Sequence, residues 1–140
     1  MNETLLVAGI GLLLVLVFLV PTITTSHKRT KSKSIDKQFV QSEWQKITEM
    51  ADRPDQAARY AVIEADKLLD YVLRQRGYKG ETMGERLKSA GSDLSYTNDT
   101  WEAHKLRNKL VHEAKYEVDQ RLVKRALEQF KAALKDMGAL

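Results

Sequence analysis

Apolar residues follow two different patterns along the chain. Residues Leu5 to Val20 read LLVAGIGLLLVLVFLV, sixteen positions without a polar side chain. From about Ile35 onward, apolar residues recur every three or four positions, which is the spacing of amphipathic helices, and no window alternates with a period of two. The sequence therefore predicts a membrane-type segment followed by an all-α domain.

The apolar run is long enough to anchor the chain in a bilayer. At ~1.5 Å per residue, a helix over about residues 4–24 reaches ~30 Å, the thickness of a hydrocarbon core. A cleavable signal peptide is the competing interpretation, but the preceding MNET has no base and the following PTITTS has no good small-x-small site. We therefore predict a transmembrane anchor over residues 1–24.

The residues after the run form a basic linker, 25–37. Only Glu3 is charged before the run, whereas cationic residues crowd directly behind it, and this asymmetry predicts an N-terminus outside and a cytoplasmic C-terminal domain at the cell membrane. We expect four of these cations to contact anionic lipid headgroups: Lys28, Arg29, Lys31 and Lys33.

The basic character of the chain is confined to this linker. Residues 28–37 contain five Lys or Arg and one Asp, whereas residues 38–140 contain 18 Lys or Arg against 17 Asp or Glu. The domain therefore has no overall field that would attract nucleic acid. The chain has no cysteine, which excludes disulfides and suits a cytosolic domain.

The periodic region, 38–140, predicts a bundle of four principal helices and one short helix. Pro54 and Asp55 suit the first turn of the second helix, and Gly77 suits its end. Thr82 and Glu85 form a capping-box pattern before the short helix. Asn98, Asp99 and Thr100 are candidates for the N-cap of the fourth helix. The predicted helices run over about Ile35–Ala51, Pro54–Arg76, Thr82–Gly91, Trp101–Ala114 and Asp119–Met137.

Candidate chemistry concentrates in the fourth helix, in the stretch EAHKLRNKLVHE, residues 102–113. At 100° per residue, Ala103, Leu106, Leu110 and Ala114 form a core face. A separate stripe contains Trp101, His104, Lys105, Asn108 and His112, with Arg107 beside it at the edge of the core. The stripe predicts either a functional surface or a seam between helices.

The residues allow three interpretations of this stripe. A metal site is disfavoured because His104 and His112 lie ~12 Å apart along the helix axis and no third ligand has suitable spacing. A structural seam would pair Arg107 with an acid of the second helix: Glu64, Asp66 or Asp70. Catalysis without a metal would use arginine for negative charge and histidine for proton transfer. We expect no metal or cofactor in any of these cases.

Arg107-Asn108-x-x-x-His112 resembles the R-x4-6-H motif of HEPN domains, which are small helical bundles. The resemblance covers roughly residues 38–140 and extends to small membrane-anchored bacterial proteins that share EADKLLDYVL, TMGERLK and HKLRN…HE. It implies a HEPN-like fold and a homodimer through the motif helix. We expect a non-enzymatic interaction or scaffold module.

The alternative implied by the resemblance is a metal-independent endoribonuclease with a composite dimer site. His112 would then assist attack of the RNA 2′-hydroxyl or protonate the leaving oxygen, Arg107 would stabilise the charged transition state, and Asn108 would orient His112 or a phosphate oxygen. His104 and Lys105 would be auxiliary phosphate contacts. Whether this chain is an enzyme, and whether RNA is a partner, stays open at this point.

Two other features have simpler interpretations. Asp66 and Asp70 share a helix face with interleaved Lys67 and Arg74, which favours solvated ion pairs. GYKGETMGE, residues 77–85, lacks both G-x-G-x-x-G and the P-loop lysine, so its glycines predict caps and turns rather than a nucleotide loop.

Overall fold

The computed structural model describes residues 33–53, 56–113 and 115–140. Within these ranges the chain is all-helical and has no strand. The five α-helices are α1 (Lys37–Ala51), α2 (Gln56–Gln75), α3 (Met83–Ala90), α4 (Thr97–His112) and α5 (Gln120–Asp136), with a 3₁₀ turn at Gly91–Asp93. The predicted all-α bundle of four longer helices and one short helix is confirmed.

Helix α2 is the centre of the bundle and contacts each of the other four helices. It has apolar residues at three- and four-residue spacings, so that one broad face is fully buried. The core around it includes Trp44 from α1, Leu87 from α3, Leu110 from α4 and Phe130 from α5. Because α2 is packed on by all four other helices, its polar residues can meet side chains from several directions.

The predicted ends of α2 and α3 are confirmed where the structure describes them. Gly77 follows α2 with a φ of 81°, and the Tyr78 N–H donates to Leu73 O at 3.1 Å, which closes the helix in the usual left-handed cap. Thr82 and Glu85 form the predicted capping box at the start of α3. Backbone N–H groups of Glu81 and then Thr82 donate to the Glu85 carboxylate and lower its pKa.

Helix α4 differs from its predicted bounds. It begins at Thr97, one turn before the predicted Trp101, and ends at His112 rather than at Ala114. Thr100 was a predicted N-cap, but its hydroxyl is buried and donates to Tyr96 O at 3.1 Å inside the helix. A hydroxyl that bonds the carbonyl four residues earlier lies within the helix and does not cap it.

Several sequence predictions lie outside the described residues. These are the anchor at 1–24, the cations Lys28, Arg29 and Lys31, the helix-starting Pro54 and Asp55, and the core position Ala114. None of the described helices has both the length and the apolarity to cross a bilayer.

Candidate functional site

A buried carboxylate joins α2 to α4. Asp66 is 1% exposed, and its Oδ1 lies 2.7 Å from Nδ1 of His104, which is 7% exposed. Burial of a charged group is unfavourable unless it is paired, so the position of Asp66 depends on its partners in α4. The imidazole therefore donates from Nδ1 to a carboxylate of the central helix.

Asn108 and Arg107 extend this contact into a closed polar cluster. Asn108 Nδ2 lies 3.3 Å from His104 Nε2, and Asn108 Oδ1 accepts from Arg107 Nη1 at 2.9 Å. These directions fit an imidazole that carries its proton on Nδ1 and accepts at Nε2. We call Asp66, His104, Arg107 and Asn108 the α2–α4 cluster.

Arg107 completes the cluster by an electrostatic contact with Asp66. Its Nε lies 3.3 Å from Asp66 Oδ2, but this buried N–H makes no hydrogen bond within the described residues. The contact is therefore an ion pair without a directed hydrogen bond. The Arg107 side chain is 26% exposed, and its charge is balanced inside the protomer.

An aromatic ring and a glycine cover the imidazole. The Trp101 and His104 rings meet edge to face with centroids 5.7 Å apart. A Cβ built on Gly84 of α3 would lie 3.6 Å from the Trp101 ring and 3.7 Å from His104 Nε2. Since Nε2 faces Asn108 and the backbone of α3, it is enclosed by protein rather than open to a substrate.

A second buried ion pair joins α2 to α3. Arg86 is 7% exposed, and its Nε and Nη2 lie 2.5 and 3.2 Å from the two carboxylate oxygens of Asp70. Its Nη1 donates to Gly80 O in the loop that precedes α3. The predicted solvated ion-pair face is therefore wrong at Asp66, because α4 packs over its carboxylate. At Asp70 the predicted pair with exposed Arg74 is present at 3.2 Å, although α3 also covers this carboxylate with Arg86. The exposed pair of Glu64 and Lys67 does fit that prediction.

The predicted stripe on α4 divides in two. His104 is buried and Asn108 is partly buried, so the predicted segregation of the stripe from the core is wrong at His104. His112 and Lys105 are exposed, and His112 makes no hydrogen bond or ion pair with any described residue. Of the three acids weighed as partners for Arg107, the structure selects Asp66.

The structure does not pair Arg107 with His112 within the chain. No hydrogen bond or ion pair joins them in the described part of the chain, and Arg107 contacts Asp66 and Asn108 instead. The described residues also contain no group of three or more acidic or histidine side chains arranged to hold a metal ion. The α2–α4 cluster can orient side chains and join two helices, and His112 is not part of it.

Three buried or half-buried arginines were not singled out from the sequence. Arg59 donates to the carbonyls of Leu110, Glu113 and Tyr116 and so caps the end of α4. Arg76 donates to Met137 O after α5, and Arg86 pairs with Asp70. Every residue has a backbone carbonyl, so the sequence does not show which carbonyls an arginine will bond. The only signal for these three residues would have been an arginine within an otherwise apolar helix pattern.

Comparison with protein families finds no match to this chain, and comparisons with curated proteins and with solved structures find none either.

Proposed function

We propose that this chain is a single-pass membrane protein whose HEPN-like helical domain lies on the cytoplasmic side and acts as a non-enzymatic interaction module. The apolar run at 5–20 and the basic linker behind it support the anchor and its orientation. The all-helical bundle and the placement of Arg107 and His112 in its fourth helix support the HEPN-like fold.

The ion pair of Arg107 with buried Asp66 carries the non-enzymatic part of the proposal. A phosphate-stabilising arginine needs a cation directed at the substrate. Here the charge is balanced by Asp66 and one Nη1 bond is used by Asn108. Arg107 therefore serves the packing of α2 on α4, and the interaction role falls to the exposed faces of the helices.

The entry of the chain into the bundle supports a position against the membrane. The Lys33 N–H donates to Gln75 O at 2.8 Å, so the end of the basic linker meets the end of α2. Lys33, Arg74 and Lys79 line one shallow pocket there, together with Glu81 and Glu85. Clustered cations beside an anchor favour contact with anionic headgroups at about 1 kcal/mol each.

The topology is tested by labelling single cysteines, since the chain has none of its own. An Asn2→Cys variant should react with a membrane-impermeant maleimide on intact cells. A Lys135→Cys variant, at an exposed position near the end of α5, should react only after permeabilisation. Labelling of Lys135→Cys on intact cells contradicts the proposed orientation.

An endoribonuclease is the second candidate, and the exposure of His112 favours it. His112 lies at the end of α4 beside Val111, which is 45% exposed, so both are accessible to a second copy. Two motif helices that meet across a two-fold axis would bring two His112 and two Arg107 side chains into one site. The homodimer that this requires is measured by light scattering after size exclusion.

Cleavage of single-stranded RNA in excess chelator separates the two candidates. The interaction module predicts no difference between wild type and His112→Ala, with Lys88→Ala as a control at an exposed lysine of α3. Metal-independent cleavage that is lost in His112→Ala and kept in Lys88→Ala would establish the nuclease instead.

The interaction role itself is tested with photo-crosslinking residues in native membranes. Leu122, Tyr96 and Phe39 are exposed large side chains on three parts of the bundle. A crosslinked protein adduct at one of these positions is expected. Absence of adducts at all three positions contradicts an interaction module.

A further inference from the structure

A groove of about 270 Å³ runs between α4 and α5, away from the α2–α4 cluster. Its lining is mostly apolar and includes Leu106 and Tyr116, both partly buried, and Leu122. Leu122 is 39% exposed, although its neighbour Val123 is fully buried in the core. Exposed apolar side chains that line a concavity are typical of binding surfaces rather than of a solvated helix face.

The rim of this groove is cationic. Lys105 and Lys109 lie one turn apart on α4, both exposed, and neither has a carboxylate partner among the described residues. Lys109 Nζ lies 5.9 Å from the centroid of the Tyr116 ring, so it is held over the apolar floor. Two adjacent cations above apolar side chains would complement a ligand with both carboxylate and aliphatic groups.

The acid and the arginine that line the groove are already paired with each other. Arg125 of α5 donates to Glu102 at 2.8 Å, and Gln129 donates to the same carboxylate at 3.1 Å. This pair therefore neutralises itself and joins the two helices. The charge left for a ligand is that of Lys105 and Lys109.

We propose that the α4–α5 groove binds an acidic amphipathic segment of a partner protein. Apolar side chains of the segment would contact Leu106, Tyr116 and Leu122, while its carboxylates would meet Lys105 and Lys109. This is the helix-in-groove mode of peptide recognition, in which side chains three and four positions apart anchor one apolar face. The inference rests on the proposed interaction role and names the class of partner.

The chemistry of the groove favours a peptide over a nucleic acid. Phosphates would suit the two lysines, but aliphatic side chains at Leu106 and Leu122 offer a nucleic acid no stacking surface. The one aromatic ring among the described lining residues, that of Tyr116, is partly buried and has Lys109 over it. The groove is also small, so it accommodates a few side chains rather than a folded domain. Steering by the two lysines adds selectivity for acidic segments.

The test uses the full-length chain in nanodiscs that contain phosphatidylglycerol, with empty nanodiscs as the blank. The probe is a fluorescent 14-residue helical peptide with leucines at three- and four-residue spacings and glutamates elsewhere. A matched peptide has lysine at every glutamate position. Saturable binding of the acidic peptide is expected, with the lysine peptide weaker by about tenfold or more.

Three variants locate the binding site. Leu122→Glu and Lys109→Glu should each weaken binding of the acidic peptide about tenfold, which is the size of effect expected at a central contact. Lys88→Glu reverses an exposed charge on α3, outside the groove, and should leave the affinity unchanged. Circular dichroism checks that each variant keeps its helical content, and Leu122→Ala is a milder replacement if Leu122→Glu does not fold.

Three results would contradict the proposal that the α4–α5 groove binds an acidic segment. They are absence of saturable binding, binding that survives both Leu122→Glu and Lys109→Glu, and displacement of the peptide by single-stranded RNA. The crosslinking experiment then distinguishes the two failures. Adducts at Tyr96 or Phe39 without one at Leu122 leave the interaction role intact and remove only the groove, whereas no adduct at any position removes both.

Discussion

The two halves of α4 contain two histidines in very different surroundings. His104 is buried between Asp66, Asn108, Trp101 and the backbone near Gly84. His112 lies two turns later on the same helix, is exposed, and has no polar partner among the described residues. One imidazole is thus a structural element of the bundle, and the other is accessible to whatever approaches the surface.

The difference originates in the helix that faces α4. Asp66 of α2 places a carboxylate opposite the middle of α4, whereas Arg59, two turns earlier, meets the end of α4 through its carbonyls. A buried carboxylate needs side-chain donors beside it, whereas a guanidinium that donates to backbone carbonyls at a helix end needs no side-chain partner. The surroundings of the two halves of α4 therefore depend on which residue α2 places opposite each of them.

The largest expected effect is at Asp66. Asp66→Ala should lower the free energy of unfolding by about 3–5 kcal/mol, because it leaves buried His104 and partly buried Arg107 without their carboxylate. Chemical denaturation measures this loss. Glu64→Ala removes an exposed carboxylate from the same helix and should cost no more than about 0.5 kcal/mol. Equal effects at the two positions would contradict a buried cluster.

The two histidines provide the next comparison. His104→Ala should lower the free energy of unfolding by about 1–3 kcal/mol, because one oxygen of the buried Asp66 loses its hydrogen bond. His112→Ala should change it by about 0.5 kcal/mol or less, as expected for an exposed side chain. Thermal unfolding of the two variants side by side checks this order. A larger loss in His112→Ala would show that the exposed half of α4 is the structural one.

A smaller effect, of opposite sign to those at Asp66 and His104, is expected at Gly84, which packs against the covered face of His104. A Cβ there would be at ordinary contact distance from Trp101 and His104, and alanine favours a helix over glycine. Gly84→Ala should therefore stabilise the domain by about 0.5–1 kcal/mol in denaturant. Destabilisation would mean that the imidazole needs more room than the structure gives it.

The sequence predicted helix ends well where residues close to the end determine it. Thr82 with Glu85, and Gly77 with its positive φ, act within a few residues of themselves, so their patterns are readable without the fold. The start of α4 was predicted one turn late because Asn98, Asp99 and Thr100 are all good capping types. Residue type alone does not show that the Thr100 hydroxyl bonds a carbonyl within the helix.

The candidate site was less predictable because its polar contacts are between helices. Asp66 and Asp70 have the same pattern as a solvated face, and only the packing of α3 and α4 shows that Arg86 and His104 cover them. One of the three interpretations paired Arg107 with an acid of α2, but the spacing did not separate Glu64, Asp66 and Asp70. That choice depends on the register of α2 against α4, which neither helix encodes alone.

A double-mutant cycle between Asp66 and Arg107 tests most directly whether the motif arginine is committed to the interior of its own protomer. The free energies of unfolding of wild type, Asp66→Ala, Arg107→Ala and the double variant give the coupling between the two side chains. A coupling of about 1 kcal/mol or more is predicted, since interacting neighbours give about 0.5–3 kcal/mol. Additive effects would contradict the structural role of Arg107 and leave its charge available for RNA.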